Sequence, residues 1–283
     1  MKASNQKSTL PNLVTIGAMK SGTTSLHNYL KLHPQIFMSE LKETDFFVEE
    51  FNWSKGLDWY KSNFKQEADI VGESCTNYSK YPYFKGVPER MHRIIPEAKL
   101  IYILRDPIKR IASHYIHRVW EGWENRSIDE ALTDLKGNHY VNCSSYYMQI
   151  ERYLPYYQPS NILVITLEDL AGDRANTLSK IFRFLNVDPN FKHEDFSVVA
   201  HQSSQKKQPT PLRRRLVAIP GGRLVESAMF RLLGGPKASQ LLWRPIDRPI
   251  ISESIRQALV DVLQKDVQKL RDFTGYSFAD WSL

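Results

Sequence analysis

The stretch Asn12-Leu-Val-Thr-Ile-Gly17-Ala-Met-Lys20-Ser-Gly22-Thr-Thr-Ser25-Leu-His-Asn-Tyr-Leu-Lys-Leu32 decides the fold. Residues 12–18 are a short apolar run rich in β-branched side chains, which predicts a buried strand. Thr23–Leu32 carries Leu26, Tyr29 and Leu30 at helical spacing, and Pro34 stops the helix. The order is strand, tight loop, helix. Backbone N–H groups at a helix start, together with the helix dipole, form an anion site. Gly17 and Gly22 let the chain turn around it, Thr23, Thr24 and Ser25 add hydroxyl donors, and Lys20 adds a cation. The glycine spacing matches the Walker A pattern, but Thr23 stands where that pattern has lysine, and the lysine sits inside the loop. Such a loop suits a short phosphate chain without an obligatory metal better than it suits ATP. A plain glycine turn is the alternative; Lys20 and the hydroxyl run weigh against it.

Outward from this loop, strands alternate with helices. Strands are predicted at 70–72, 99–104 and 161–166, of which Lys99-Leu-Ile-Tyr-Ile-Leu104 is the clearest. Helices are predicted at 56–64, 88–95, 107–119, 127–135, 145–157 and 174–185. This alternation predicts an α/β fold of three layers around a central parallel sheet. Residues 201–215 are polar and basic without periodicity, which predicts a loop. Residues 252–272 predict a long amphipathic helix with Ile255, Leu259, Val262, Leu263 and Val267 on one side. A disordered leader over 1–11 and one domain over 12–283 complete the expected organisation.

The 283 residues are 42% hydrophobic and 24% charged, the balance of an ordinary globular domain. No run approaches the ~18 apolar residues of a membrane helix, and the polar N-terminus lacks the apolar core of a secretory signal. Cys75 and Cys143 are the only cysteines, too few for a disulfide framework although a single pairing stays open, so the expected location is cytoplasmic. Lys and Arg total 38 against 31 Asp and Glu, a net charge of +7 that favours anionic partners without choosing among them. No zinc-finger spacing and no RNP-like aromatic motif occurs, so no nucleic-acid partner is expected.

Lys20-Ser-Gly-Thr-Thr-Ser25 after a strand resembles the 5′-phosphosulfate loop of the sulfotransferase family. Leu104-Arg-Asp-Pro-Ile-Lys-Arg-Ile-Ala-Ser113 resembles its 3′-phosphate motif, Ile162–Leu170 its late core strand, and Phe273–Trp281 its C-terminal ending. The resemblance implies a single-domain enzyme that moves a sulfuryl group from 3′-phosphoadenosine-5′-phosphosulfate, with no metal required. It also implies that Lys20, Ser21, Gly22, Thr23, Thr24 and Ser25 hold the 5′ side, and that Arg105 and Ser113 hold the 3′-phosphate. A guanidinium at the end of a buried strand can grip a phosphate through two parallel bonds; a strand-end ion pair is the alternative. Lys206 and Lys207, in a loosely matching late loop, are further candidate donor contacts.

Lys42-Glu-Thr-Asp-Phe-Phe47 resembles a stretch of the heparan sulfate branch in which the glutamate is the general base. Glu43 follows Lys20 by 23 residues, which fits that branch. Lys42 and Phe46 become candidate acceptor contacts. The cytosolic branch uses a histidine, for which His139 is the candidate. His114 and His117 read as surface or supporting groups, and Arg213–Arg215 as a solvated helix face, with contact to an anionic acceptor or membrane lipid as the alternative. Ser74 departs from related glycan enzymes, which often carry Lys there, and this weighs against a glycan-chain acceptor. The acceptor is expected to be a hydroxyl or amine of a saccharide, lipid or small natural product. Acceptor loops are expected around 120–145 and 215–250, where Trp120, Trp123 and Trp243 line a pocket or fill core. A kinase-like P-loop phosphotransferase and a non-catalytic nucleotide-binding module are the rival classes.

Overall fold

The computed structural model describes residues 10–65, 68–198, 207–245 and 247–283. Five parallel strands form the sheet: β1 (Leu13–Gly17), β2 (Ile36–Met38), β3 (Ile70–Ser74), β4 (Lys99–Leu104) and β5 (Ile162–Thr166), in the order β2-β3-β1-β4-β5. The chain leaves β1 toward one edge and returns past it to build the other. Loops after β1, β3 and β4 therefore converge at one end, the position where open α/β sheets bind ligands.

Alternation along each strand splits the core. Val14, Leu100, Tyr102, Leu104 and Val164 face one cluster; Leu13, Ile101, Ile103 and Ile165 face the other. The second cluster is closed by α1 (Thr23–Lys31) and by a helix at Arg174–Leu185, through Leu26, Leu30, Ile181 and Phe182. The first cluster takes Tyr60 from α2 (Gly56–Lys61), Met91 from α3 (Val87–Ile94) and Val267 and Leu270 from the last helix. The expected three layers are present.

Helix α4 (Pro107–Glu121) begins at a buried knot. Asp106 caps it, accepting from the Ile108 and Lys109 N–H groups at 2.9 and 3.0 Å. Its other oxygen accepts from Ser282 N–H at 2.8 Å and Ser282 Oγ at 2.6 Å, which ties the C-terminal tail to the end of β4. Pro107 fits the first helical turn, and Gly122, at φ 80°, ends the helix in a left-handed conformation.

Several expectations are corrected. The polar helix predicted at 127–135 is only α5 (Ile128–Ala131), and α6 (His139–Asn142) follows it. The one predicted at 145–157 shrinks to α7 (Tyr146–Ile150), whose N-terminal Tyr147 and Met148 N–H groups donate to Asp266 at 2.9 and 2.8 Å. Next come α8 (Leu167–Gly172) and α9, the Arg174–Leu185 helix. Residues 201–215 are not one loop. β6 (Lys207–Pro209) pairs antiparallel with β7 (Trp243–Pro245), and Thr210 caps α10 (Pro211–Ala218), while 201–206 lie outside the described residues. Helices α11 (Gly222–Leu233) and α12 (Gly235–Leu242) complete this lobe. The last helix, α13 (Glu253–Thr274), buries Leu259, Leu263, Val267 and Leu270 but leaves Val262 exposed, because the face continues to 270 rather than through 262. Of the expected leader, 1–9 lie outside the described residues; Pro11 is buried and Leu10 packs on the core.

Asp106→Ala removes the helix cap and strands the Ser282 donors. Urea unfolding is expected to show a loss of about 2–4 kcal/mol. A loss near that of an exposed alanine substitution would mean that the knot carries no stability.

Candidate functional site

The loop 18–22 follows β1 and closes on itself through Ser21 N–H to the Ala18 carbonyl at 3.1 Å. Ala18 N–H donates to Ile103 O at 2.7 Å, pinning the loop to the neighbouring strand. A Cβ on Gly17 would lie 2.0 Å from Ser79 Oγ, so the loop after β3 presses directly on this glycine. Gly22 has φ 91° and Lys20 φ 72°, both in the left-handed region; at Lys20 this conformation costs roughly 1–2 kcal/mol. Ser21, Thr23 and Ser25 are buried, and Lys20 and Thr24 are half-buried.

Arg105, at the end of β4, is half-buried and its Nη1 lies 3.5 Å from the Lys20 carbonyl. Burial lowers its pKa and the Arg248 guanidinium adds to this, against the opposing pull of Glu168, Tyr146 and Asp106. Among the described residues no carboxylate lies within ion-pair distance of it. The strand-end ion pair is thus not formed. Tyr146 OH donates to the Arg105 carbonyl at 2.6 Å and fixes the strand end. Ser113 is buried on the second turn of α4.

The sequence reading missed Arg110, which is fully buried. Its Nη1 donates to the Met19 carbonyl of the phosphate loop at 3.3 Å, its Nη2 to Tyr140 O at 2.7 Å and its Nε to Ser144 Oγ at 2.6 Å. Arg110 thus binds loop, α4 and α6 into one body. Only its place four residues after the Asp106 cap hinted at this.

Glu43 stands beside the end of β3. Lys42 Nζ donates to Glu43 Oε1 at 2.6 Å and Thr76 Oγ1 donates to Oε2 at 3.0 Å. Burial raises the carboxyl pKa, but Lys42, the Thr76 hydroxyl and Lys80 outweigh it and hold Glu43 below its ordinary 4.5. The segment is anchored from behind by Glu73. This fully buried acid on β3 accepts from Thr44 Oγ1, from Tyr60 OH at 2.6 Å and from Tyr78 OH at 3.2 Å. Burial pushes Glu73 up to about 7 against those three donors. Cys75 Sγ and Asn77 Nδ2 both donate to Asp45 Oδ1, at 2.9 and 2.8 Å.

Phe46, expected as an acceptor contact, is instead buried in the core, where it stacks on Tyr60 at 4.2 Å between centroids. Lys42 is half-buried and committed to Glu43. Ser74 Oγ meets His27 Nδ1 at 3.1 Å, and burial, with Lys42 and Lys31, pushes His27 down to about 4. Position 74 thus offers no cation. His139 is half-buried against Tyr83 and His114; burial, Lys80 and Arg118 push it down to about 4. His114 is buried beside Arg110, which is the supporting rather than the surface placement of the two expected for it. Trp120 and Trp123 are exposed, and Trp243 lies under the Arg213 guanidinium at 4.2 Å. Lys206 lies outside the described residues, and Lys207 is described only as backbone in β6.

A lysine-bearing loop between β1 and α1, flanked by a strand-end arginine, defines the class: an α/β protein with a P-loop-like anion site at its sheet's switch point. Residues 10–215 match the family model described as the sulfotransferase domain, and the chain belongs to that family. It is 28% identical over 212 residues to bifunctional heparan sulfate N-deacetylase/N-sulfotransferase 4 of Mus musculus, covering 66% of this chain and 23% of that protein. The corresponding Drosophila melanogaster enzyme is 30% identical over 209 residues, covering 64% and 20%. A membrane-associated sulfotransferase of Dictyostelium discoideum is 38% identical over 111 residues, covering 38% and 22%. The chain thus spans about a quarter or less of the length of these relatives. The crystal structure of a sulfotransferase from Alicyclobacillus acidocaldarius shares the fold with a TM-score of 0.71 at 23% identity, over 97% of this chain and all of that one. Mouse sulfotransferase SULT7A1 complexed with PAP gives 0.55 at 15% identity, over 95% and 89%.

The expected cytoplasmic location is overturned. Relatives named for heparan sulfate and for membrane association point away from the cytoplasm. The two cysteines carried no such information: both are buried and free, so they report packing rather than compartment. Among the described residues no helix is long and apolar enough to cross a membrane.

The native Glu73 carboxyl keeps its proton to about 7, whereas the unfolded chain loses it near 4.5. The folded state therefore binds more protons between those values, and stability falls as pH rises through that window. Glu73→Gln is expected to flatten this slope in urea titrations at successive pH. Parallel slopes for the two proteins would show that Glu73 ionises at its ordinary value.

Proposed function

We propose that this chain transfers a sulfuryl group from 3′-phosphoadenosine-5′-phosphosulfate to a hydroxyl or amine of a saccharide, lipid or small natural product. The supporting observation is the meeting, at one end of one sheet, of the Lys20 loop, a half-buried Arg105 with no carboxylate partner among the described residues, and a Glu43 held ionised.

In this reading the loop amides and the hydroxyls of Thr23, Thr24 and Ser25 hold the 5′ side of the donor, and Arg105 with Ser113 holds the 3′-phosphate. The acceptor oxygen or nitrogen bonds to sulfur as the bridging S–O bond breaks. The electron pair leaves on the 5′-phosphate, which Lys20 stabilises, and the acceptor proton passes to Glu43. A carboxylate with a lowered pKa is a weak base, so the proton moves late, once the new bond has made the acceptor acidic. Glu43, Asp45 and Cys75 bring ligand atoms within 4.8 Å of one another, but burial raises the Cys75 thiol and it donates to Asp45. A protonated thiol is a poor ligand, and the cluster fits a hydrogen-bond network better than a metal site.

Adenosine 3′,5′-bisphosphate is expected to raise the melting temperature more than ATP does, and equal shifts would remove the donor assignment. Arg105→Ala is expected to weaken that nucleotide by about ten-fold or more while sparing its 3′-dephospho form, as read by calorimetry. Glu43→Gln is expected to keep donor binding and lose roughly 100-fold or more in turnover of labelled donor across an acceptor panel. Unchanged turnover would transfer the base role to His139, whose neutral ring can also accept a proton.

A further inference from the structure

Residues 207–245 form a lobe apart from the sheet. The β6–β7 ribbon closes its neck, with Thr210 N–H donating to Leu242 O at 2.9 Å, and α10, α11 and α12 pack on one another. Its charge is one-sided. Between Pro211 and Arg248 the sequence carries eight Lys and Arg against two Asp and Glu, a surplus of six in a chain whose net charge is +7. One of the two acids, Glu226, is already held by Arg213 Nε at 2.6 Å inside the lobe.

Helix α11 has two apolar faces. Met229 and Phe230, with Glu226, are half-buried against the lobe. Leu224, Ala228 and Leu232 recur every four residues on the other side, joined by Val225, and all four are exposed; Leu224 and Leu232 are 77% and 84% exposed. Arg223 and Arg231, also exposed, lie to one side of this stripe, with Arg231 directly beside it. Leu212, Ile219 and Ile250 add exposed apolar side chains in neighbouring segments. A helix with one buried apolar face has no folding reason for a second bare one.

We propose that this lobe docks on the anionic surface of a phospholipid bilayer. Leu224, Val225, Ala228 and Leu232 enter the boundary between headgroups and acyl chains, while Arg223 and Arg231 lie among the lipid phosphates. Charge selects this occupant. The cations border the apolar stripe, as an anionic interface requires, whereas a second copy of the same lobe would bring like charge against like charge. The contact is peripheral, and it does not depend on which donor the phosphate loop takes.

Cosedimentation with vesicles of phosphatidylcholine alone, and of phosphatidylcholine mixed with phosphatidylglycerol, tests the proposal. The protein is expected to bind the mixed vesicles about ten-fold or more tightly than the neutral ones, and less tightly as salt rises. The double variant Leu224→Glu/Leu232→Glu is expected to lose that binding at an unchanged melting temperature. Should that variant misfold, Arg223→Gln/Arg231→Gln is expected to remove the preference for the mixed vesicles. Three results would overturn the idea: no binding to the mixed vesicles at low salt, undiminished binding by a folded variant, or a wild-type dimer that the leucine substitutions dissociate.

Discussion

A single buried carboxylate organises the loop end of this sheet. Asp106 is inaccessible to water, so its oxygens must find protein donors, and they find four: two N–H groups opening α4 and two from Ser282 at the far end of the chain. This knot sets the direction in which α4 leaves β4. It thereby places Arg105 at the strand end and Arg110 one turn into the helix. Arg110 reaches back to the Met19 carbonyl and Arg105 approaches the Lys20 carbonyl, so the phosphate loop is shaped from outside as well as by its own glycines.

A second buried acid does the corresponding work beside Glu43. Glu73 gathers Thr44, Tyr60 and Tyr78, and Thr44 neighbours Glu43 in the chain. The two candidate catalytic elements thus rest on adjacent strands, β1 and β3, each backed by a group that cannot move without losing buried hydrogen bonds. Lys80 bears on both Glu43 and His139, so the two candidate bases share one electrostatic neighbourhood. Turnover by one and not the other would then follow from geometry rather than from charge.

The basic lobe is built on different terms. Its neck is a short ribbon and its helices bury little, leaving leucines in water on one face. The core sheet has no comparable bare face among the described residues, because period-two alternation assigns the apolar strand residues to one of two covered clusters. The two regions differ in how much of their apolar surface is covered.

What the sequence determined by itself is local. Contiguous β-branched runs, glycines at a turn and Asp-Pro at a helix start act over a few residues, and they place β1, β4, α1, α4 and the tight loop between β1 and α1 correctly. Glu43 became a candidate because its neighbours carry a pattern, and Arg105 because it ends a strand. The tertiary structure decided the rest. Phe46 turned inward because Tyr60 offered a ring to stack on; His114 was buried because Arg110 lies beside it; and residues 207–218 became strand and helix because a partner strand waits at 243–245. Burial and hydrogen-bond satisfaction depend on groups dozens to more than a hundred positions away, as Asp106 and Ser282 are, and no local pattern encodes such a meeting.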